Sequence, residues 1–458
     1  MFVVAHVSDL HISEFGDTFH DRLRVVKRSA NVVAADAVKF EIAWEEEGWR
    51  VFHERGKRRS KIALVDPDGY AHSIPSMKEG AGVIDPVERA ATKACHLEAR
   101  RSGTLARHIP SAGALGVLYE GTPRNSNVRL LRAVQAIEES NADAVVITGD
   151  VTDDGVGWEL VEAAFARWKD RGRLFVIPGN HDVPVLDADG TSIAWKDFPN
   201  YYRHCGYGLT QELYYTASPS PGLRIIALNS NQFDHDGKQI GSIDQPQLDW
   251  LADTLSQSKD ELTLVMIHHN VLDHFPDQGQ HPIGQRYMLR NAPTLLKILR
   301  DAQVQLVFTG HLHVQDIAHR DGIFDITTGS LVSYPHPYRV VELRHDAGQT
   351  QLSIESPRVE SLAQWPKLQH FSREWMGDRS LPFVTYMLTQ PPLNLDSQEA
   401  AAAAPSLRYF WATIADGDPV FEYPDLPEGL RQHFEAYSHC QSQEIQLGVQ
   451  DNQLQLTL

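Results

Sequence analysis

The sequence predicts an α/β protein built on an open, largely parallel sheet. Three observations point there. Short apolar runs that read as strands recur through residues 123–345. Segments with helical spacing of apolar residues lie between them, the pattern of strand–helix–strand units. Five short polar motifs each directly follow an apolar run, at the strand ends where open α/β sheets place their ligands.

The first strand is predicted at Phe2–Ser8. The next motif-bearing strand, Ala144–Thr148, lies far downstream, preceded by a helix in which Val128, Leu131, Val134 and Ile137 share a face and Ser126 or Asn127 serves as cap. Residues 15–122 are therefore read as an insertion. Within it, Lys61–Val65 and Tyr70–Ile74 flank an Asp-Pro-Asp-Gly turn and predict a hairpin. Asp85 and Pro86 open a helix expected to run to about Arg101. After Asp150 the order is regular: helix 158–170, strand Leu174–Ile177, strand Leu223–Leu228, helix 244–256, strand Leu262–Ile267, helix 293–300 and strand Val304–Thr309. Phe324–Thr328 and Arg339–Leu343 are expected as closing strands. Beyond Asp346, Gln351–Ser356 completes a hairpin, Pro391-Pro392 and Ala400–Pro405 read as linker, and the Gln-rich end alternates like an edge hairpin. His433 and His439 in this tail are expected on the surface.

The 458 residues suffice for about two or three domains. Hydrophobic residues make up 42% and charged residues 22%, an ordinary soluble balance. No stretch of about 18 apolar residues predicts a membrane span. The apolar N-terminus runs directly into Asp9 and His11 and lacks a basic flank, so it is not read as a signal segment. Cys95, Cys205 and Cys440 are far apart and odd in number. They predict neither a disulfide framework nor a thiolate zinc site, and they suit a cytoplasmic location. A net charge of −18 argues against indiscriminate nucleic-acid binding. One local exception is the basic cluster Arg55, Lys57, Arg58, Arg59 and Lys61, either a solvated face or an anion-recognition surface.

The chemistry lies in the motifs. Asp9 and His11 follow the first strand one residue apart, so period two sends both side chains to one face. Asp150 ends the next strand; its two carboxylate oxygens can bridge two cations. Asp153 is expected to orient neighbouring groups. In Gly179-Asn180-His181-Asp182, glycine permits a tight turn and Asn180 offers a neutral oxygen. His181 is placed to contact substrate, stabilising the transition state or protonating the leaving oxygen, with Asp182 holding its ring. Of His268 and His269, only one should face the site, and His268 is favoured. His311 and His313 repeat the spacing of Asp9 and His11. Each motif alone is explained by a polar turn or a satisfied core histidine; five in strand-end positions are not. The mixed nitrogen and oxygen donors argue against calcium or magnesium.

As an ordered set, Asp-x-His, Gly-Asp-x-x-Asp, Gly-Asn-His-Asp, His-His and Gly-His-x-His resemble the calcineurin-like metallophosphoesterase superfamily across residues 1–14 and 123–345. The resemblance implies a four-layer α/β/β/α sandwich, here with an inserted α+β cap (15–122) and a C-terminal α+β extension (346–458). It implies two transition metals, divalent or of mixed valence and commonly manganese, iron or zinc. One would be held by Asp9, His11, Asp150 and His313, the other by Asp150, Asn180, His268 and His311, with His181 as the catalytic histidine. Phosphoprotein phosphatases of the superfamily tend to carry Arg where Asp154 stands, so this chain looks more like the phosphodiesterase branch. That branch often has Pro after the paired histidines, where this chain has Asn270.

The expected activity is dinuclear metal-dependent hydrolysis of a phosphodiester, with a metal-bridging hydroxide as nucleophile and Asp150 and His181 as the catalytic residues. A phosphorylated small molecule is the expected substrate. The alternatives are a DNA nuclease of the repair type using the basic insertion, a pyrophosphatase for a nucleotide-linked lipid, and a non-catalytic metal-binding scaffold. His274, His281 and Arg286, in the loop after His268, are candidates to touch substrate, and Tyr334–Pro337 to line the rim.

Overall fold

The computed structural model describes residues 1–10, the backbone of four strands between 39 and 72, and residues 133–458 apart from 153–157, 185, 187–192, 258–260, 347–348, 363–365 and 439–449. The chain divides into two compact units. One comprises Met1–His11, Arg129–Leu362 and Pro366–Leu458, the other Ile12–Val128 with Ala363–Trp365. Among the described residues no helix is long and apolar enough to cross a membrane.

The second unit contains an antiparallel meander of β2 (Lys39–Glu46), β3 (Trp49–Arg55), β4 (Ile62–Val65) and β5 (Ala71–His72). The expected hairpin is β4 with β5. The helix expected from Pro86 lies outside the described residues, as do Lys57, Arg58, Arg59 and Lys61.

The first unit holds two six-stranded sheets. In one, β1 (Phe2–Val7), β6 (Ala144–Ile147) and β7 (Leu174–Val176) run parallel. Beside β1, in antiparallel order, come β16 (Arg339–Asp346), β17 (Gln349–Glu355) and β18 (Gln453–Thr457). The other sheet has β9 (Leu223–Ala227), β12 (Leu262–Met266), β13 (Leu306–Thr309) and β15 (Ile323–Thr327) in parallel register. Its edges are β8 (Tyr215–Ser220) and β14 (Asp316–Arg320). The sheets face each other: the ring of His6 on β1 meets Phe308 on β13 edge-on, with centroids 5.0 Å apart. A short hairpin, β10 (Asn231–Phe233) with β11 (Gln239–Gly241), follows β9.

Helices cover the outer faces, completing an α/β sandwich. A helix at 133–139 precedes β6 in the chain, and α1 (Trp158–Ala164) lies between β6 and β7. On the second, α2 (Gln245–Ser256) starts where the Asp244 side chain accepts from the Gln247 amide at 3.0 Å, a standard N-cap. It buries Leu248, Leu251 and Leu255, three and four residues apart. In α3 (Ala292–Asp301), Leu295, Leu296 and Leu299 do the same. Both stripes pack on Ile226, Val265 and Val307 of the sheet, each leucine contributing roughly 2 kcal/mol of burial.

The tail departs from its expected reading. Residues Ala400–Ala404 are not linker: Asp396 and Glu399 form a reciprocal capping box that starts α5 (Ser397–Ala403), and Ala400 is buried. It joins α4 (Leu368–Thr389), α6 (Phe410–Asp416) and α7 (Glu428–Glu435) in a helical cluster. Alanines and prolines read as low complexity when counted, but small residues let helices approach closely. The cluster's Val384, Phe410 and Phe434 pack together with Leu312 and Val314. His433 is half-buried beside Phe434 and Tyr437 rather than on the open surface. The chain's end does form an edge strand, β18, while residues 445–449 lie outside the described set.

Candidate metal centre and active-site cavity

The candidate ligands converge just past the C-terminal ends of β1, β6, β7, β12 and β13. They do so on turns rather than as strand continuations. Asp9, Asp150, His311 and His313 have φ of 52°, 48°, 66° and 60°, a left-handed backbone that costs about 1–2 kcal/mol per residue. The expected strand period therefore is not what aims them. At the last motif the outcome is similar: Leu312 and Val314 pack into the tail's core while His311 and His313 face the cavity.

Glycine makes the close approach achievable. A Cβ on Gly179 would lie 2.1 Å from Asp150 Oδ1, and one on Gly310 would lie 1.9 Å from Ser8 Oγ. Any side chain there would displace the loop bearing Asp150 or Asp9.

Asp150 sits at the centre. Ligating atoms of Asp150, His268 and His311 lie within 4.8 Å of one another, and so do those of Asp9, Asp150 and His313. His268 Nε2 is 3.1 Å from Asn180 Oδ1, 3.1 Å from His311 Nδ1 and 3.5 Å from Asp150 Oδ1. Adjacent donors around a transition metal with bonds of about 2.1 Å stand roughly 3 Å apart, so this set fits such an ion. In the other cluster, Asp9 Oδ1 is buried and accepts no hydrogen bond from the described residues, while His313 Nε2 lies 3.2 Å away. An orphaned carboxylate oxygen beside an imidazole also fits a cation. His11 and Asp153 lie outside the described residues.

The ligands are held from behind. Ser8 Oγ donates to Asp9 Oδ2 at 2.6 Å and receives from Thr148 Oγ1 at 2.9 Å, which in turn meets buried His6. His268 Nδ1 is fixed by the Thr148 carbonyl at 2.8 Å, leaving Nε2 for the cluster. His269 turns its Nδ1 to Ser230 Oγ at 2.8 Å, yet its ring stays 4.5 Å from that of His311 and lines the cavity. Ser8, Thr148 and Ser230 carry no motif signal; only their contacts reveal them.

Three expectations from the sequence are corrected. Asp182 does not orient the His181 ring. Its carboxylate accepts from the amides of Val151, Thr152 and Gly179 and from Thr152 Oγ1, all within 3.1 Å, and so clamps the Asp150 loop to the Asn180 loop. His274 does not reach substrate. It is buried between Asp316 and Asp325, and Asp325 also accepts from Val271, Leu272 and Thr309. His336, expected near the rim, is fully buried against the Leu331 carbonyl.

Electrostatics follow from burial and crowding. Burial and then Asp150 push the Asp182 carboxyl up to about 7. Burial would lower His268, but Asp150 and Asp9 carry it to about 9. Burial and His268 depress His269 to about 3, and burial with both neighbours keeps His311 well below its ordinary value. At neutral pH His311 is thus already neutral, as a metal ligand must be, whereas His268 carries a proton that an incoming cation would displace.

The cluster opens into a cavity of about 960 Å³. His181 lines it, its amide donating to Asp150 Oδ1 at 2.8 Å. Arg286, Tyr287 and Trp411 form other parts of the wall.

Residues 123–315 match the family model for calcineurin-like phosphoesterases. The chain is 25% identical over 297 residues to a "Probable cyclic nucleotide phosphodiesterase" of Rhodococcus erythropolis, covering 64% of this chain and 88% of that protein. It is 28% identical over 255 residues to a "Probable glycerophosphodiester phosphodiesterase" of Arcobacter nitrofigilis, covering 53% and 82%. A cAMP/cGMP dual specificity phosphodiesterase of Mycobacterium tuberculosis is 31% identical over 192 residues, 40% of this chain and 52% of that one.

Proposed function

We propose that this chain, whose residues 123–315 match the calcineurin-like phosphoesterase model and whose relatives are named as phosphodiesterases, is a dinuclear metallophosphodiesterase acting on a small phosphodiester. The observation that carries this reading is the place of Asp150 in both ligand clusters. Asp9, His11, Asp150 and His313 would hold one metal; Asp150, Asn180, His268 and His311 would hold the other. Manganese, iron or zinc bound there would neutralise phosphoryl oxygens and lower the pKa of water, providing the nucleophile near neutral pH.

The chain's own residues do the rest. Asn180 and His268 hold one edge of the site, with the His268 tautomer set by the Thr148 carbonyl. The amide of His181 ties its own backbone to Asp150, placing the imidazole on the cavity wall. There it donates a hydrogen bond to the departing oxygen or delivers a proton to it. Diester over monoester is supported by the names of the relatives, which refer to cyclic nucleotides and glycerophosphodiesters.

The test pairs elemental analysis with turnover of bis(p-nitrophenyl) phosphate and p-nitrophenyl phosphate in manganese. Preference for the diester with two metals per chain is expected. A monoester preference, or a single metal at full activity, would refute the reading. Single-stranded and duplex DNA belong in the same assay, since Arg55, Lys57, Arg58 and Arg59 suggest a nuclease as the second reading.

A further inference from the structure

Outside the ligand cluster, the cavity reverses the charge of the chain. Acidic residues outnumber basic ones 60 to 42 in the sequence. Among the described cavity-lining residues, however, Asp273 is the one acid besides Asp150, against Lys238, Arg286, Arg290 and Arg320. Asp273 is already engaged, accepting from the Gly279 amide at 2.7 Å. Arg290 lies near the carboxylate of Asp234.

Arg286 is the best placed of the four. Its guanidinium lies 4.4 Å from the centroid of the Tyr287 ring and donates to that residue's hydroxyl. Among the described residues no carboxylate pairs with it, and it is exposed to the cavity. The Tyr287 ring is 5.0 Å from the ring of His311, and His311 Nε2 meets the Arg286 carbonyl at 3.2 Å. The guanidinium therefore stands one residue away from a candidate metal ligand.

The segment is anchored there. The Asn270 amide donates to the Tyr287 carbonyl at 3.0 Å, and Asn270 accepts from the Leu289 amide at 2.8 Å. Arg290 donates its amide to Gly241 on β11 at 2.9 Å. On the other side Gln239 binds the Asn180 carbonyl at 2.9 Å, and its neighbour Lys238 also lines the cavity. Lys238, Arg286 and Arg290 thus supply an arc of cations to the cavity wall, the last two on a backbone tied at Asn270 and Gly241.

We propose that this arc, with Arg286 at its centre, recognises a second phosphate group on the substrate, separate from the phosphoryl group at the metals. A planar, permanently charged guanidinium with free donors matches a phosphate. The inference rests on the phosphodiesterase reading and narrows its substrate class to diesters bearing an additional phosphate.

Binding calorimetry on the metal-loaded full chain tests it, comparing thymidine 3′,5′-bisphosphate with thymidine 5′-monophosphate. The bisphosphate is expected to bind about ten-fold more tightly or better. Arg286→Ala should cut that advantage to roughly three-fold or less, and Arg286→Lys should keep an intermediate share. The ratio of two ligands on one protein cancels any general loss of metal or folded fraction. Should Arg286→Ala lose its cooperative melt, Arg286→Gln reads the same ratio. No advantage in the unsubstituted chain, or an undiminished one without Arg286, overturns the proposal. Turnover of a nitrophenyl monoester but not the diester would sink the phosphodiesterase reading instead, and the calorimetric ratio would still decide the role of the arc.

Discussion

Asp150 is the residue on which both candidate metal positions depend, since it belongs to both ligand clusters, and its Oδ1 also accepts from the His181 amide. Asp150→Asn keeps the shape and removes the charge. Elemental analysis should show loss of metal, and diester turnover should fall by two orders of magnitude or more, on the order of what metal catalysis contributes. Metal content and activity both at the unsubstituted level would count against a bridging carboxylate. His181 is different in kind. It lines the cavity without belonging to either ligand cluster. His181→Ala should retain metal while kcat drops about 10²–10⁴-fold, the usual worth of a general acid. Metal loss in that variant would move His181 into the ligand set. Gly310→Ala is the steric counterpart: a methyl 1.9 Å from Ser8 Oγ must push Asp9 aside, so both metal retention and melting temperature should fall.

At the scale of elements, the turn after β12 is built around a buried charge. Burial alone would lower the His274 pKa, but Asp325 and Asp316 raise it to about 10. With an unfolded value near 6.5, the ring takes up its proton more readily when folded. Its contribution to stability is thus complete below about pH 6.5 and declines as pH rises toward 10. His274→Gln removes the charge and leaves two carboxylates without a counterion. Chemical denaturation at pH 7 should show a loss of about 3–5 kcal/mol, and the variant's stability should fall less steeply above pH 8 than that of the unsubstituted chain. A variant as stable as the parent with the same pH profile would mean that the ring is not charged in the folded state.

At the scale of the whole molecule, the helical tail is joined to the site. Leu312 and Val314, which flank His313, share a core with Phe410 and Phe434, and Ala415 accepts from the Gln315 amide at 3.1 Å. Phe410→Ala should cost about 3–5 kcal/mol and also weaken metal retention, read as a smaller rise in melting temperature on adding manganese. An unchanged metal-induced shift in a destabilised variant would show that the tail supports the fold without supporting the centre.

The local signals were strong enough to read without the structure wherever chemistry and periodicity coincide. Strand-length apolar runs located β1, β6, β7, β9, β12 and β13, because buried parallel strands have few alternatives. The Leu spacing in α2 and α3 marked their buried faces. The motif residues Asp9, Asp150, Asn180, His268, His311 and His313 stand out as candidate ligands because few other patterns place so many donors after strands. What tertiary structure alone decided are matters of contact between distant segments. Asp182 serves the Asp150 loop rather than His181 because the amides of residues 151 and 152 come to it from 30 positions away. His274 is a buried ion-paired group because β14 and β15 bring two carboxylates to it. The tail's alanines are packed helix rather than linker, and Arg286 joins the cavity because Asn270 ties its segment beside His311. Sequence carries donor identity and periodicity, which are local. Which carboxylate meets which imidazole depends on chain segments folded together over hundreds of residues, and only the assembled sandwich defines that.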